Sequence, residues 1–190
     1  MAKSNYILLG PPGAGKGTQG PLLAKHAEIP HISTGDMLRD AMRAGSELGK
    51  QVKEVVDSGQ LVSDELMVGL IESRINQADC EKGFILDGFP RTIPQAKSLD
   101  ALLAKSNEGV THAILFDIEL ETLLARLEKR RVKEGRVDDS IDTQKERLKV
   151  YKTNTAPLIE YYKNNGKLLP IESEGTVEEV TANLLEGLGR

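Results

Sequence analysis

The sequence predicts a three-layer α/β/α domain built on a five-stranded parallel sheet. Three observations lead there. Short apolar runs alternate with longer stretches of helical period, the pattern of strand–helix units whose helices cover both faces of a sheet. The first apolar run breaks directly into a glycine-rich turn and a helix start, the local signature of a P-loop. At 190 residues the chain suits one domain with a real core and small excursions.

The elements follow in chain order. Tyr6–Gly10 is apolar and ends at glycine, a first strand. The turn Gly10-Pro11-Pro12-Gly13-Ala14-Gly15-Lys16-Gly17-Thr18-Gln19 opens a helix over Lys16–Ala27. Its backbone N–H groups form a cup suited to a polyphosphate. Gly13, Gly15 and Gly17 leave room for phosphate oxygens, and Lys16 adds a point charge. Gly17 occupies the usual Ser/Thr position of the motif, and the hydroxyl comes one residue later at Thr18. A second strand, Pro30–Ser33, leads into a helix over Thr34–Ala44 that Ser33 or Thr34 can cap. Helices over Glu47–Ser58 and Ser63–Asn76 follow, broken by Gly45 and Gly59 and opened at Ser63-Asp64-Glu65. Three helical patterns without an intervening strand predict a helical insertion standing off the sheet.

Gly83–Asp87 is a third strand that ends in an acid, and Gly88-Phe89-Pro90 shapes a rigid turn presenting Arg91 before a helix over Ile93–Ala104. Thr111–Asp117 is the fourth strand and Glu119–Arg131 its helix. A charged loop around Gly135 (Arg130–Asp139) has the composition of a mobile cover over phosphates. A helix over Asp142–Lys163, a fifth strand at Lys167–Ile171 and a helix over Thr176–Leu188 complete the chain. Thr176 and Glu179 form a capping-box pattern at the start of the last helix.

Composition excludes several classes. The net charge of −4 argues against nucleic acid or anionic membrane as partner. Aromatics at 4% with no tryptophan leave no stacking platform for a nucleic-acid-binding ATPase. The lone Cys80, with His26, His31 and His112 scattered, fits neither a disulfide framework nor a zinc site. Residues 1–20 carry no basic n-region with an apolar core, and no run approaches ~18 apolar residues. A soluble, cytosolic protein is expected.

The chemistry-bearing residues suit phosphoryl transfer. Asp87, at a strand end beside the P-loop, is placed to hold Mg²⁺ directly or through water. Arg126 and Arg130 share a helix face, Arg136 lies in the charged loop, Arg147 on the next helix and Arg39 in the insertion. With Lys16 and Arg91 they make a cationic set large enough for two polyphosphates. Such a set is what transfer requires, because the migrating group spreads its charge over oxygens that guanidinium forks match. Arg43, Arg74 and Arg131 read as surface charge. No histidine stands at a motif position, and a phosphate oxyanion as acceptor needs no base.

Taken together the segments resemble the adenylate kinases of bacterial type with a short lid, from Ile7 to the last helix. Gly10–Gln19, Ser33-Thr34-Gly35-Asp36 with Arg39, Asp87–Arg91 with Gln95, Gly135-Arg136 with Asp138-Asp139, and Ala156-Pro157-Leu158-Ile159 carry the resemblance. It implies that Gly13, Ala14, Gly15, Lys16, Gly17 and Thr18 cradle ATP phosphates. Arg126 lies against the ATP base, the Gly175 backbone reads its edge, and Arg130 reaches ATP from the lid. AMP is met by Thr34, Arg39, the backbone at Gln60, Leu61 and Val62, the Gly88, Phe89, Pro90 and Arg91 turn, Gln95, Arg136 and Arg147. Lys16, Arg91, Arg130, Arg136 and Arg147 carry catalysis, and Asp87 with Asp36 anchors the waters of Mg²⁺. The implied division is a core (1–32, 63–128, 140–190), an AMP-binding arm (33–62) and a lid (129–139). The reaction implied is reversible transfer from MgATP to AMP giving two ADP, in a monomer without zinc. Two other readings differ in acceptor or class. A UMP/CMP kinase shares the short lid, but Thr34 and Gln95 favour adenine. A P-loop switch would show Asp-x-x-Gly and Asn-Lys-x-Asp; the first is absent, and Asn76-Gln77-Ala78-Asp79 lacks the lysine.

Overall fold

The computed structural model describes residues 3–134 and 140–189, with side chains for 3–129 and 140–189. Five strands, β1 (Ser4–Leu9), β2 (His31–Ser33), β3 (Gly83–Asp87), β4 (His112–Asp117) and β5 (Leu168–Glu172), form one sheet in the order β2-β3-β1-β4-β5. Every pairing is parallel. The helices are α1 (Lys16–Ala27), α2 (Thr34–Arg43), α3 (Glu47–Asp57), α4 (Asp64–Ile75), α5 (Ile93–Ala104), α6 (Leu120–Glu134), α7 (Ile141–Val150), α8 (Pro157–Asn164) and α9 (Val177–Gly187). None of the described helices is long and apolar enough to cross a membrane.

Alternate residues of β1 face opposite layers, as the strand's period of two requires. Tyr6 and Leu8 pack with Leu23 of α1 and Val180 and Leu184 of α9. Ile7 and Leu9 pack with Ile71 of α4, Leu99 of α5, and Leu158 and Tyr162 of α8. A strand buried on both faces must be apolar throughout, which is why β1 and β3 read as continuous apolar runs. The chain passes to β2 and β3 on one side of β1, then to β4 and β5 on the other. In open parallel sheets the crevice beyond the strand ends at such a reversal is where ligands bind. The loop after β1 and the acid ending β3 meet there, since Leu8 is in register with Asp87 and Asp87 with Ser33.

The insertion of α2 and α3 has no strand within it. Its two helices cross so closely that a Cβ on Gly49 would stand 2.1 Å from the Ala41 carbonyl oxygen. Serines cap both: Ser33 Oγ accepts from Asp36 N–H, and Ser46 Oγ from Gly49 N–H. The capping box at Thr176 and Glu179 is complete.

Two sequence expectations are corrected. The single helix over Asp142–Lys163 is two, α7 and α8, joined by a π-turn at Tyr151–Thr155. Pro157 is the cause: it has no N–H and its ring crowds the carbonyl four residues back. The chain widens ahead of it, and the Ala156 N–H reaches back to Tyr151 O at 2.8 Å. Arg74 is more than surface charge. Its two terminal nitrogens donate to the Asp79 carboxylate at 2.9 and 2.7 Å, and Nη1 also to Cys80 Sγ at 3.3 Å. That fork ties the end of α4 to the short turn leading into β3. Burial pushes the Cys80 thiol up, away from the reactive thiolate.

Candidate functional site

A cleft of about 780 Å³ runs from the loop after β1 to the α2–α3 insertion. On its sheet side the loop is shaped by glycines in the left-handed region. Gly13 has φ +90° and Gly15 φ +100°. A Cβ on Gly13 would come within 2.9 Å of Leu127 Cδ2 and 3.1 Å of Leu123 Cδ1, so α6 presses directly on the loop. Lys16 opens α1, and its Nζ donates to the Gly10 and Pro11 carbonyls at 2.7 and 2.9 Å. Those carbonyls hold the ammonium over the loop. Arg126, from α6, donates through Nη2 to Ser173 O at 2.8 Å, and its Nη1 lies 3.8 Å from where a Gly15 Cβ would stand. The guanidinium therefore bridges the loop and the chain after β5. Gly175, at φ +100°, closes this end of the cleft beside the Thr176 cap.

The other end draws on β2, β3, α2, α5 and α7. Thr34 is 2% exposed, and its Oγ1 donates to Asp87 O at 3.2 Å. Gly88 is required against it, because a Cβ there would stand 2.6 Å from Thr34 Oγ1. Arg91 is fastened by three contacts: Nε donates to Gly88 O at 2.8 Å, its N–H to Gln95 Oε1 at 2.7 Å, and its carbonyl accepts from Thr155 Oγ1 at 2.9 Å. Desolvation first, then the neighbouring Arg147 and Arg39 charges, holds the Arg91 pKa below its usual value, while Asp87 opposes the shift. An arginine stays charged through such a shift. Arg39, Arg91 and Arg147 line the same end of the cleft, a grouping of guanidinium charge suited to an anion. Arg39 bonds Asp36 Oδ1 at 2.7 Å and folds over Gly35. The Asp87 carboxylate is half-buried, 3.5 Å from His31 Nε2. Gly20 makes the space for that imidazole, since a Cβ would stand 2.4 Å from His31 Nε2.

Of the residues singled out from sequence, the glycine loop, Thr18, Lys16, Asp36, Arg39, Thr34 and Asp87 all line this cleft. So do Gln60, Leu61, Val62, Gly88, Pro90, Arg91, Gln95, Arg126, Arg147 and Gly175. Phe89 does not: it is 1% exposed and packs into the core beneath the turn. Arg136, with the rest of 135–139, lies outside the described residues, and residues 130–134, Arg130 among them, are described only as backbone in α6. Sequence reasoning missed Lys129, Tyr151 and Thr155 on the cleft wall. Lys129 was legible in principle, three residues beyond Arg126 on one helix face. Thr155 was not, because the π-turn that aims it has no sequence signature.

Comparison with known proteins identifies the family. The family model described as adenylate kinase matches residues 8–167. An adenylate kinase of Stenotrophomonas maltophilia (strain R551-3) is 47% identical over 182 residues, covering 96% of this chain and 97% of its own. One from Xanthomonas oryzae pv. oryzae (strain MAFF 311018) is 47% identical over 184 residues, 97% and 98% of the two chains. One from Xanthomonas campestris pv. campestris (strain B100) is 46% identical over the same span.

Proposed function

Because the chain belongs to the adenylate kinase family, and is thus an ATP:AMP phosphotransferase, we propose how its cleft divides the work. ATP lies at the sheet end, its phosphates on the N–H groups of Gly13 to Thr18 and the Lys16 ammonium. Its base lies between Arg126 and the Gly175 backbone. AMP lies at the insertion end, with its phosphate on Arg39, Arg91 and Arg147 and its base against Thr34, Gln95 and the backbone at 60–62. Segment 33–62 is the AMP-binding arm, and segment 129–139, with Arg130 and Arg136, the lid. ATP enters as its Mg²⁺ complex. The Asp87 carboxylate, half-buried at the cleft floor with His31 behind it, is suited to accept hydrogen bonds from that ion's waters.

The transfer is in line: an AMP phosphate oxygen attacks the terminal phosphorus of ATP as the bond to ADP breaks. The attacking oxygen is already anionic, so the protein moves no proton. It positions the two nucleotides and supplies positive charge as charge spreads over the migrating group. Water must be excluded, since it would accept the same group, so arm and lid close before transfer. The observation that carries this reading is geometric: Arg91, Arg147 and Arg39, from three separate elements, line one end of a cleft whose other end is a P-loop. Lys16→Met and Arg91→Ala test it by steady-state assay of ADP formed from ATP and AMP. Both should lose turnover by at least ~10³-fold while keeping the wild-type circular dichroism spectrum. Near wild-type turnover in either refutes the assignment. AMP should be the fastest of AMP, GMP, CMP and UMP as acceptors.

A further inference from the structure

Gln95 is 2% exposed and lines the cleft, and its side-chain amide is gripped at both ends. The Arg91 backbone N–H donates to Oε1 at 2.7 Å, and Nε2 donates to Asp64 Oδ1 at 2.7 Å. A backbone N–H only donates, and an ionised carboxylate only accepts. The partners alone therefore dictate that the amide oxygen lies toward Arg91 and the nitrogen toward Asp64. Asp64 is fixed in turn. Its Oδ2 accepts from Thr92 Oγ1 at 3.1 Å, and Thr92 Oγ1 accepts from the Gln95 N–H as the cap of α5.

Resting on the reading that Gln95 meets the base of the acceptor nucleotide, we propose that Asp64 is a specificity-determining positioning residue. It locks the Gln95 amide in the orientation that matches a 6-aminopurine and rejects a 6-oxopurine. A primary amide has two N–H donors and two acceptor lone pairs. Arg91 and Asp64 take one of each, which leaves one N–H and one lone pair side by side for the cleft. Adenine presents an N6–H donor beside the N1 acceptor. Hypoxanthine and guanine present the O6 acceptor beside an N1–H donor at the same two positions. A half-turn of the amide exchanges its ends and converts one readout into the other, so discrimination needs a barrier to that half-turn. Asp64 supplies it: turning the amide would set Oε1 against the carboxylate and Nε2–H against the Arg91 N–H. Asp64 sits in the first turn of α4 and meets the base-reading amide at Gln95 Nε2, while its other oxygen holds the Thr92 cap of α5.

The test compares kcat/KM for AMP and IMP, which differ in the edge concerned without the 2-amino group of GMP. Asn at position 64 can rotate to donate, so Asp64→Asn removes the carboxylate's veto and leaves that of the Arg91 N–H. The AMP:IMP ratio should fall by about tenfold, the worth of one charge-assisted hydrogen bond. Asp64→Ser, too short to reach the amide, should lower it similarly, and thermal melting reports whether each variant is folded. Gln95→Ala completes the set and should raise the KM for AMP and lower the same ratio. A ratio within twofold of wild type in both folded Asp64 variants, with Gln95→Ala still affected, overturns the lock and keeps the base-reading role. Gln95→Ala with an unchanged KM for AMP and an unchanged ratio overturns both.

Discussion

Two alanine substitutions in one loop should move stability in opposite directions. At Gly13 the added methyl meets Leu127 Cδ2 at 2.9 Å and Cγ at 3.0 Å, with Leu123 Cδ1 at 3.1 Å. These are not free side-chain ends: Leu127 is 2% and Leu123 3% exposed. Overpacking of this kind costs about 1–3 kcal/mol. Holding alanine at φ +90° adds roughly 1–2 kcal/mol of backbone strain. The sum, about 2–5 kcal/mol, corresponds to a fall in Tm of roughly 4–20 °C for a chain of this length. At Gly17 nothing stands within 4 Å of the new Cβ, and the residue lies in the first turn of α1. Alanine there restricts the unfolded chain and favours the helix, so stability should rise by about 0.5–1 kcal/mol. Differential scanning calorimetry on both variants without nucleotide measures the split. Gly13→Ala melting within 2 °C of wild type, or below-wild-type melting of Gly17→Ala, refutes the steric reasoning.

Two further predictions concern other regions. The proposed arm is clasped to α7 by Gln60 Nε2 donating to Glu146 Oε1 at 2.8 Å and Thr143 Oγ1 donating to Asp57 O at 3.4 Å. Glu146→Ala should raise the KM for AMP by about twofold to twelvefold, the effect of about 0.5–1.5 kcal/mol, and leave that for ATP unchanged; equal shifts in both refute a clasp specific to the arm. Tyr161 donates to Asp100 Oδ2 at 2.6 Å, and that hydrogen bond, with burial, pushes its pKa up to about 12. The folded state thus holds the phenolic proton more tightly than the unfolded chain, whose tyrosine ionises near 10. The resulting stabilisation is complete below pH 10 and is lost as the pH rises from there through 12. Spectrophotometric titration of Asp100→Asn should show this tyrosine ionising earlier than in wild type, and an unchanged titration curve excludes Asp100 as the cause.

The sheet and most helix starts were legible because they rest on local chemistry. Burial on both faces wrote the apolar runs of β1 and β3, and the caps at Ser33 and Thr176 are chosen by orphan N–H groups in their own first turns. Of the site, short motifs carry the loop with Lys16 and the turn with Arg91, while the family resemblance supplied Arg39, Arg126, Arg147 and Gly175, which line the same cleft. Side-chain contacts between distant segments were not legible. Nothing near Asp64 says that its carboxylate meets residues 92 and 95, and nothing near Arg74 says that its fork closes on Asp79. The π-turn was missed for a related reason. Pro157 sits inside an unbroken helical pattern, and the widened turn that accommodates it leaves the apolar spacing of α7 and α8 looking continuous.

One electrostatic consequence follows from where the cations come from. Arg91 is carried by the turn after β3, Arg39 by α2 and Arg147 by α7, and after burial it is the Arg147 and Arg39 charges that lower the Arg91 pKa. Like charges on separately attached elements resist being brought together, so nucleotide-free closure is opposed by the groups that closure must assemble. A phosphate at their centre reverses the sign of every one of those interactions, and does so most strongly once water has left. In the division of the cleft proposed above, binding of the acceptor phosphate would supply the differential free energy that shifts the proposed arm toward a closed form. Because the drive is ionic, it should weaken with added salt when the arm is open and exposed, and resist salt once the arginines are buried around their anion.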